Sequence, residues 1–329
     1  MRRQISNLKE ITQPILEDMK LFQHELDEAL HSEIRLINIV GRYIMRHRGK
    51  HIRPILTILT ARLCGKPSLN SYRAAALIEI LHIASLVHDD VVDEARKRRG
   101  FPSVNHIWKN RISVLMGDFL FSKALINMIG LKDFEVLELI SSTAEQMASG
   151  EMLQIEKSAT RSFNENSYFD MIYRKTATLI ATSCELGALT TTKKDADRQA
   201  MGQYGTKLGM AFQIKDDLFD FLGLEATTGK DKGADLRKNL ITLPLIHSYG
   251  VMSKPERKEV DRLLRQKKKS SETVDTIADI IRNAGGFEYA YQKIDEYSHL
   301  ALEAIDPYPD SPYKKALTDL VLFNTQRSR

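Results

Sequence analysis

Apolar residues recur at intervals of three and four along most of this chain of 329 residues. The pattern is clearest in residues 52–63, 74–87, 114–128 and 137–152. Because an α-helix brings such positions onto one face, the pattern predicts amphipathic helices. No segment shows the strict alternation typical of a strand, and no stretch resembles an interdomain linker. We therefore predict an all-α fold, with residues 1–329 forming a single domain of packed helices around a central space.

Composition adds little to this picture. Apolar residues make up 43% of the chain, enough for a sizeable core, and the net charge of +5 is too small to indicate a nucleic-acid partner. The two cysteines, Cys64 and Cys184, have no metal-ligand spacing, so we expect a reduced, cytoplasmic protein. We see no secretory signal, and no uncharged apolar run reaches the roughly 18 residues of a membrane span.

The most informative feature is an acidic D-D-x-x-D motif that occurs twice in apolar, helix-compatible sequence. In a helix the first and last aspartates of the motif share a face, where like charges repel unless a cation lies between them. Mg²⁺ is the natural occupant, because it binds one or two carboxylates together with water and substrate phosphates. Two such motifs facing each other would enclose a magnesium-bound diphosphate. The six aspartates are Asp89, Asp90 and Asp93 in the first motif and Asp216, Asp217 and Asp220 in the second.

Basic residues accompany these motifs. Arg98 and Arg99 follow the first one closely, and guanidinium groups there could bind diphosphate oxygens that a metal leaves free. An ordinary charged helix end remains an equal alternative for this pair. Lys50 and Arg53 are three residues apart and would point the same way from the start of a helix, although a plain basic helix start is also open. Farther along, the basic run 265–269 is interpreted as a solvated loop, with weak binding to anionic lipid as the alternative.

Taken in order, the motifs resemble those of the trans-isoprenyl diphosphate synthases, or polyprenyl synthetases, and are most like the long-chain, octaprenyl-type members. The resemblance runs from about Pro14 to the C-terminus. Each match is modest alone, but their order and spacing together are specific. The matches are Gly49-Lys50-x-x-Arg53-Pro54, His82-x5-His88-Asp89-Asp90-Val91-Val92-Asp93, Arg98-Arg99-Gly100, Gly150-Glu151-x-x-Gln154, Lys175-Thr176, Phe212-Gln213-x-x-Asp216-Asp217-x-x-Asp220, Gly229-Lys230, Thr242-Leu243-Pro244 and Gly285-Gly286.

The resemblance implies an isoprenoid-synthase-type helical bundle around a central cavity. It also implies a Mg²⁺-dependent prenyltransferase that elongates an allylic diphosphate, farnesyl or geranyl, by successive 1'-4 condensation with isopentenyl diphosphate. The allylic diphosphate ionises, the double bond of isopentenyl diphosphate attacks the cation, and the departing diphosphate takes the proton. Family habit implies a homodimer, and release of an apolar product implies transient contact with a membrane surface.

Matching the motifs residue by residue assigns roles to individual side chains. The catalytic candidates are Lys175, Thr176 and Gln213. Isopentenyl diphosphate would be bound by Lys50, Arg53, His82 and Arg99, and the allylic diphosphate by Arg98, Lys175 and Lys230. Mg²⁺ would be bound directly by Asp89, Asp93 and Asp216, with Asp90, Asp217 and Asp220 supporting them or binding through water.

The chain departs from the family pattern at two places. Arg48 stands where the family commonly has glycine, which we interpret as harmless. Leu240 stands where the family often has a lysine that binds phosphate, so one contact to the allylic substrate is missing or displaced. Lys238, two residues earlier, is a candidate substitute.

Product length is predicted from the residues one turn before Asp89. The resemblance implies a tunnel beside that helix, gated in short-chain relatives by aromatic side chains. Ala84 and Ser85 are small, so the gate predicts a long all-trans product, unless these residues are ordinary packing and the floor lies elsewhere. Leu125 and Met128 are candidates for the floor. The alternatives are a farnesyl or geranylgeranyl diphosphate synthase, or a non-catalytic helical partner subunit, which would be expected to have lost aspartates.

Overall fold

The computed structural model describes residues 7–47, 49–160, 164–222, 233–266 and 268–326. Within these ranges almost every element is a helix, which confirms the predicted all-α class. The helices are α1 (Leu8–Thr12), α2 (Leu16–Leu30), α3 (Arg35–Arg46), α4 (Ile52–Cys64), α5 (Leu69–Val92), α6 (Val104–Gly130), α7 (Phe134–Thr160), α8 (Glu165–Ile172), α9 (Thr178–Leu189), α10 (Asp195–Leu222), α11 (Ala234–Arg237), α12 (Leu243–Val251), α13 (Lys254–Leu264), α14 (Ser271–Asn283), α15 (Gly286–Ile305) and α16 (Pro312–Gln326).

Four short elements complete the described chain. A 3₁₀ turn, Gln13–Ile15, links α1 to α2, and a π-helical turn, Tyr173–Ala177, links α8 to α9. The strands β1 (Lys97–Arg98) and β2 (Phe101–Pro102) pair antiparallel between α5 and α6. Each strand has only two residues, too few for an alternating pattern, so the hairpin was not predicted.

Helix α5 is the central element. Ser68 caps its N-terminus in a reciprocal capping box with Ser71, which satisfies backbone donors that would otherwise lack partners. Most of its residues between 71 and 87 are buried, as expected of a helix that is apolar on all sides. The acidic motif lies at its C-terminal end, so the carboxylates sit where a buried helix reaches the surface.

The core consists of two clusters of buried apolar side chains. The first is built mainly from α1–α6, α9 and α16, and the second from α8 and α10–α15. Helix α10 belongs to both: Tyr204 and Leu208 lie in the first cluster, and Ile214 and Phe221 lie in the second. One continuous helix therefore joins the two clusters, and the single domain over residues 1–329 stays a prediction.

We predicted a solvated loop for the basic run 265–269, but one of its residues is buried. Lys269 is only 6% exposed, and its Nζ donates to the side-chain oxygen of Asn239 at 2.8 Å. A lysine is buried only where its ammonium finds hydrogen-bond partners. Lys269 therefore fixes the segment that follows α11 instead of facing water.

Candidate active site

The first acidic motif divides into a buried and a more accessible part. Asp90 is 3% exposed, and its carboxylate accepts a hydrogen bond from Nε of Arg98 at 2.7 Å. Burial raises the pKa of Asp90, and the charge of Arg98 acts in the opposite direction. Asn105 also donates to the backbone carbonyl of Asp90 at 3.0 Å. Asp90 thus fastens the hairpin and its arginine to the end of α5, and Asp89 and Asp93 are left as the more accessible carboxylates.

Asp89 lies in an environment that disfavours its charge. Burial, followed by the nearby charge of Glu151, raises the pKa of Asp89 to about 6, although Lys175 and Arg98 oppose the shift. Carboxylates held together in a partly buried site are stabilised by a cation between them. Asp93, one turn later, accepts a hydrogen bond from Nζ of Lys238 at 3.0 Å. This pair connects the first acidic motif to the chain that follows the second.

The π-helical turn carries the predicted catalytic residues Lys175 and Thr176. Such turns are rare and often occur at functional sites. Nζ of Lys175 lies 2.5 Å from Oε2 of Glu151 and 3.1 Å from the side-chain oxygen of Gln154, both on α7. Gly150 allows this approach, because a Cβ there would lie 2.6 Å from the backbone nitrogen of Lys175. The structure therefore explains why the matched Gly150-Glu151-x-x-Gln154 motif, to which the sequence analysis gave no role, has that spacing.

The second acidic motif is tied to the π-helical turn through Gln213. Oγ1 of Thr176 donates to Gln213 at 2.8 Å, and Nε2 of Gln213 donates to Asp217 at 2.7 Å. The hydroxyl of Tyr168 also donates to Asp217 at 2.7 Å. Burial, and next the charge of Asp235, raises the pKa of Asp217 well above its usual range. Asp217 is thus a buried acceptor that positions Gln213.

Asp220 has a structural partner as well. Its two carboxylate oxygens accept the backbone N–H groups of Ala234 and Asp235, each at 3.1 Å. Its backbone carbonyl accepts the N–H of Gly233 at 2.9 Å. Asp220 therefore holds the chain entering α11. Asp216, which is partly exposed, is the remaining carboxylate of this motif.

A separate group of cations lies at the start of α4 and around His82 of α5. Nη1 of Arg53 donates to Nε2 of His82 at 3.0 Å. Burial, and next the charges of Arg53 and Arg99, lowers the pKa of His82 well below its usual range, so the ring is neutral and accepts. Arg99 packs against Gly49: a Cβ on residue 49 would lie 2.5 Å from the guanidinium of Arg99. Thus three of the four residues predicted to bind isopentenyl diphosphate come together.

Glu79 balances this positive charge and was missed by the sequence analysis. It is 4% exposed on α5, and its Oε1 lies 3.0 Å from Nδ1 of His51. Burial lowers the pKa of Arg53 to about 10, and the charge of Glu79 opposes that shift. The signal that could have revealed it is a lone carboxylate within the apolar run of α5.

Two further predicted residues are Lys50 and Lys230. Nζ of Lys50, the fourth candidate for isopentenyl diphosphate, lies 5.6 Å from the ring centre of Phe323 in α16. Lys230 lies outside the described residues, so its role stays a prediction.

The predicted gate lies inside α5. Ala84 is buried, and Oγ of Ser85 donates to the carbonyl of His82 at 2.9 Å, so both side chains are small and held close to the helix. Met128, one candidate for the floor, is buried, whereas Leu125 is 41% exposed. The position of the floor therefore stays a prediction.

The acidic side of the site fits a hard divalent cation that also binds the substrate. Among the described residues, no group of three or more His, Cys, Asp and Glu side chains could hold a metal ion by itself. A hard divalent cation that takes one or two carboxylates plus water and phosphate oxygens needs no such group. The raised pKa of Asp89 is the observation in favour of a cation at this position.

A family model described as polyprenyl synthetase matches residues 34–281. This chain belongs to the polyprenyl synthetase family. The octaprenyl diphosphate synthase of Escherichia coli is 34% identical over 98% of this chain and 100% of its own length. Crystal structures are also similar. A decaprenyl diphosphate synthase from Rhodobacter capsulatus is 32% identical, with a TM-score of 0.92 over 98% of this chain and 100% of that one. A polyprenyl synthase from Caulobacter crescentus, complexed with calcium and isoprenyl diphosphate, is 30% identical, with a TM-score of 0.91 over 99% of both chains.

These similarities confirm the predicted family and isoprenoid-synthase-type fold. The enzyme is a prenyltransferase that elongates prenyl diphosphates. The roles assigned above to individual site residues stay predictions.

Proposed function

We propose that this enzyme elongates farnesyl or geranyl diphosphate with isopentenyl diphosphate to a long all-trans polyprenyl diphosphate. The observation that carries the proposal is the division of the site into two anion-binding groups. One combines Asp89 with Lys175 and Arg98, whose charges act on each other. The other contains Arg53 and Arg99 around a neutral His82. Condensation of two diphosphates requires two anion sites, one suited to a metal and one that needs none.

Mg²⁺ is the metal we propose, held by Asp89, Asp93 and Asp216 through oxygen ligands. The crystal structure of the Caulobacter crescentus relative, complexed with calcium and isoprenyl diphosphate, supports a divalent cation. When bound, such an ion neutralises charge that develops on a departing diphosphate. Asp90 and Asp217 support the site from below, because both are buried and hydrogen-bonded to neighbouring side chains.

The side chains of this chain then divide the remaining work. Arg98 and Lys175 bind oxygens of the allylic diphosphate and stabilise its charge as it leaves. Arg53 and Arg99 bind isopentenyl diphosphate by charge-assisted hydrogen bonds. Thr176 and Gln213, joined at 2.8 Å, lie beside the reacting carbons. The allylic cation would react with water, so the apolar residues of α5 below the site must keep water out.

The long product is supported by two independent observations. Ala84 and Ser85 leave no bulky side chain one turn before Asp89. A helix turn rises about 5.4 Å, close to one isoprene unit, so a small residue there leaves room for further growth. The relatives named above include octaprenyl and decaprenyl diphosphate synthases. A short-chain synthase is the competing function, and product sizing distinguishes the two.

We propose a homodimer through α6. This helix exposes large apolar side chains, with Leu115 57%, Ile126 64% and Ile129 67% exposed. Monomers rarely leave such a surface uncovered. By length and composition α6 could also cross a membrane, but the core helix of a soluble protein meets the same criteria. The free cysteines Cys64 and Cys184 support a cytoplasmic enzyme. Such an enzyme would contact a membrane surface only transiently, to release its apolar product.

The test is incubation of the full chain with Mg²⁺, labelled isopentenyl diphosphate and farnesyl diphosphate, followed by sizing of the extracted products. We expect linear products longer than geranylgeranyl. Asp89→Ala and Asp216→Ala should each abolish incorporation without loss of helicity, whereas Asp279→Ala, at an exposed pair on α14, should not. Products that stop at geranylgeranyl would overturn the long-chain assignment. Activity in Asp89→Ala or Asp216→Ala would overturn the metal site, and a protein unable to incorporate isopentenyl diphosphate under these conditions would be a partner subunit.

A further inference from the structure

Lys238 links the two halves of the acidic site. Its Nζ lies 3.0 Å from Oδ2 of Asp93, across 145 residues of sequence. The contact joins the segment after α11 to the C-terminal end of α5. The charge of Lys238 also acts on Asp90: burial raises the pKa of Asp90, and Lys238 opposes that rise. Lys238 is therefore a cation beside carboxylates of the first acidic motif, contributed by the segment that follows the second.

The neighbouring residues fix the direction in which Lys238 points. Before it, Nε of Arg237 donates to the carbonyl of Lys269 at 3.2 Å. After it, Asn239 has a φ of 60° and accepts from Nζ of Lys269 at 2.8 Å. Both neighbours are thus held on the connection between α13 and α14. The left-handed turn at Asn239 ends α11 and leaves Lys238 directed at Asp93.

The other end of the segment is anchored to the second acidic motif. Asp220 accepts the backbone N–H groups of Ala234 and Asp235. The carbonyl of Asp235 in turn accepts the N–H groups of Lys238 and Leu240, each at 3.0 Å. The backbone that presents Lys238 is therefore tied through Asp220 to the same motif that contains Asp216. This tethered segment therefore places one ammonium beside Asp93 of the first motif.

We propose that Lys238 is a diphosphate-binding residue with two positions. In one position it pairs with Asp93, as in the structure. When a metal-bound allylic diphosphate enters, Lys238 leaves Asp93 free to bind metal and donates to a diphosphate oxygen. It thereby supplies a positive charge on the side of the site where the chain has Leu240. This inference rests on the proposed function and adds a residue to the allylic site.

Little free energy is lost when Lys238 leaves Asp93. The side chains of Lys238 and Asp93 are 51% and 39% exposed, and ion pairs at this exposure contribute little to stability. A lysine ammonium on four flexible methylenes can move between neighbouring anions without moving the backbone. A diphosphate carries several anionic oxygens that can accept a charge-assisted bond from the ammonium, whereas Asp93 offers one carboxylate. The exchange therefore favours the form with substrate bound.

The experiment measures binding apart from turnover. Calorimetry with Mg²⁺ and farnesyl diphosphate, with no isopentenyl diphosphate present, reports the allylic site alone. We expect Lys238→Met to weaken binding about ten- to a hundred-fold. Lys238→Arg should bind within a few-fold of the unchanged chain. Lys238→Met combined with Leu240→Lys should recover most of the loss, because the added lysine lies on the same tethered segment.

Lys20→Met is the matched control. It removes an ammonium from an exposed ion pair on α2, and we expect no change in binding. A second titration uses Mg²⁺ alone. There Lys238→Met should bind the metal more tightly, since Asp93 is no longer neutralised.

Two results would overturn the inference. Unchanged farnesyl diphosphate affinity in Lys238→Met would remove Lys238 from the diphosphate site. Unchanged affinity for Mg²⁺ alone would remove the exchange at Asp93. Failure of the proposed function would be distinct, because it would appear in the unchanged chain, either as products that stop at geranylgeranyl or as no incorporation of isopentenyl diphosphate.

Discussion

Gly150→Ala tests whether the contact between α7 and the π-helical turn sets the position of Lys175. A Cβ at residue 150 would lie 2.6 Å from the backbone nitrogen of Lys175 and 2.8 Å from Cβ of Arg174. Neither partner is the free end of a flexible side chain, so neither can swing aside. The helix and the turn must therefore separate.

The size of that separation follows from ordinary contact distances. Relief of the shorter contact to about 3.4 Å requires a shift of about 0.8 Å, and overpacking of this kind costs about 1–3 kcal/mol of the free energy of unfolding. Glu151 and Gln154 lie on the same face of α7 and both contact Nζ of Lys175. Misplacement of a site residue by about 1 Å costs about a hundred-fold in rate. We expect a loss of kcat/KM between ten- and a hundred-fold.

The assay combines incorporation of labelled isopentenyl diphosphate with urea denaturation followed by circular dichroism. Gly250→Ala is the matched control, because a Cβ there meets nothing within 4 Å in the exposed end of α12. It should retain activity and be unchanged or slightly stabilised, by up to about 1 kcal/mol. If Gly150→Ala keeps both the rate and the stability of the unchanged chain, the close contact does not position Lys175 and the reasoning is wrong.

Three further outcomes follow from the same structure. Ser85→Phe should shorten the products by blocking the space beside α5, and an unaltered product distribution would remove the gate. Because the pKa of Asp89 is raised to about 6 and a protonated carboxyl binds no metal, Mg²⁺ affinity measured with pyrophosphate should fall by up to about tenfold per pH unit below that value. Asp89→Asn should lack this part of the pH dependence, and equal profiles would contradict the assignment. Asp18, 2% exposed, accepts from Nε and Nη2 of Arg62 and from the hydroxyl of Tyr72, so Asp18→Asn should lower the free energy of unfolding by about 3–5 kcal/mol in urea denaturation. A loss under about 1 kcal/mol would show that this junction of α2, α4 and α5 contributes little.

Much of the fold was predictable because its helices are long and their periodicity is local. The apolar run 74–87 became the buried middle of α5, and 114–128 became part of α6. The motifs were predictable for a different reason: metal and diphosphate chemistry restricts which side chains can be used, and at what spacing. The hairpin β1–β2 and the π-helical turn were not predictable, since each involves only a few residues and depends on what packs against it.

The sequence by itself determined the fold class, the family, the six aspartates and the cations that accompany them. Only the tertiary structure decided which of these side chains are buried and which stay accessible. Adjacent residues of a helix point about 100° apart, so within one motif packing buries Asp90 against Arg98 and leaves Asp89 beside Glu151. It also decided that Lys238 meets Asp93, across 145 residues. No local pattern carries that information, because the contact depends on how α5, α10 and α11 are packed against one another.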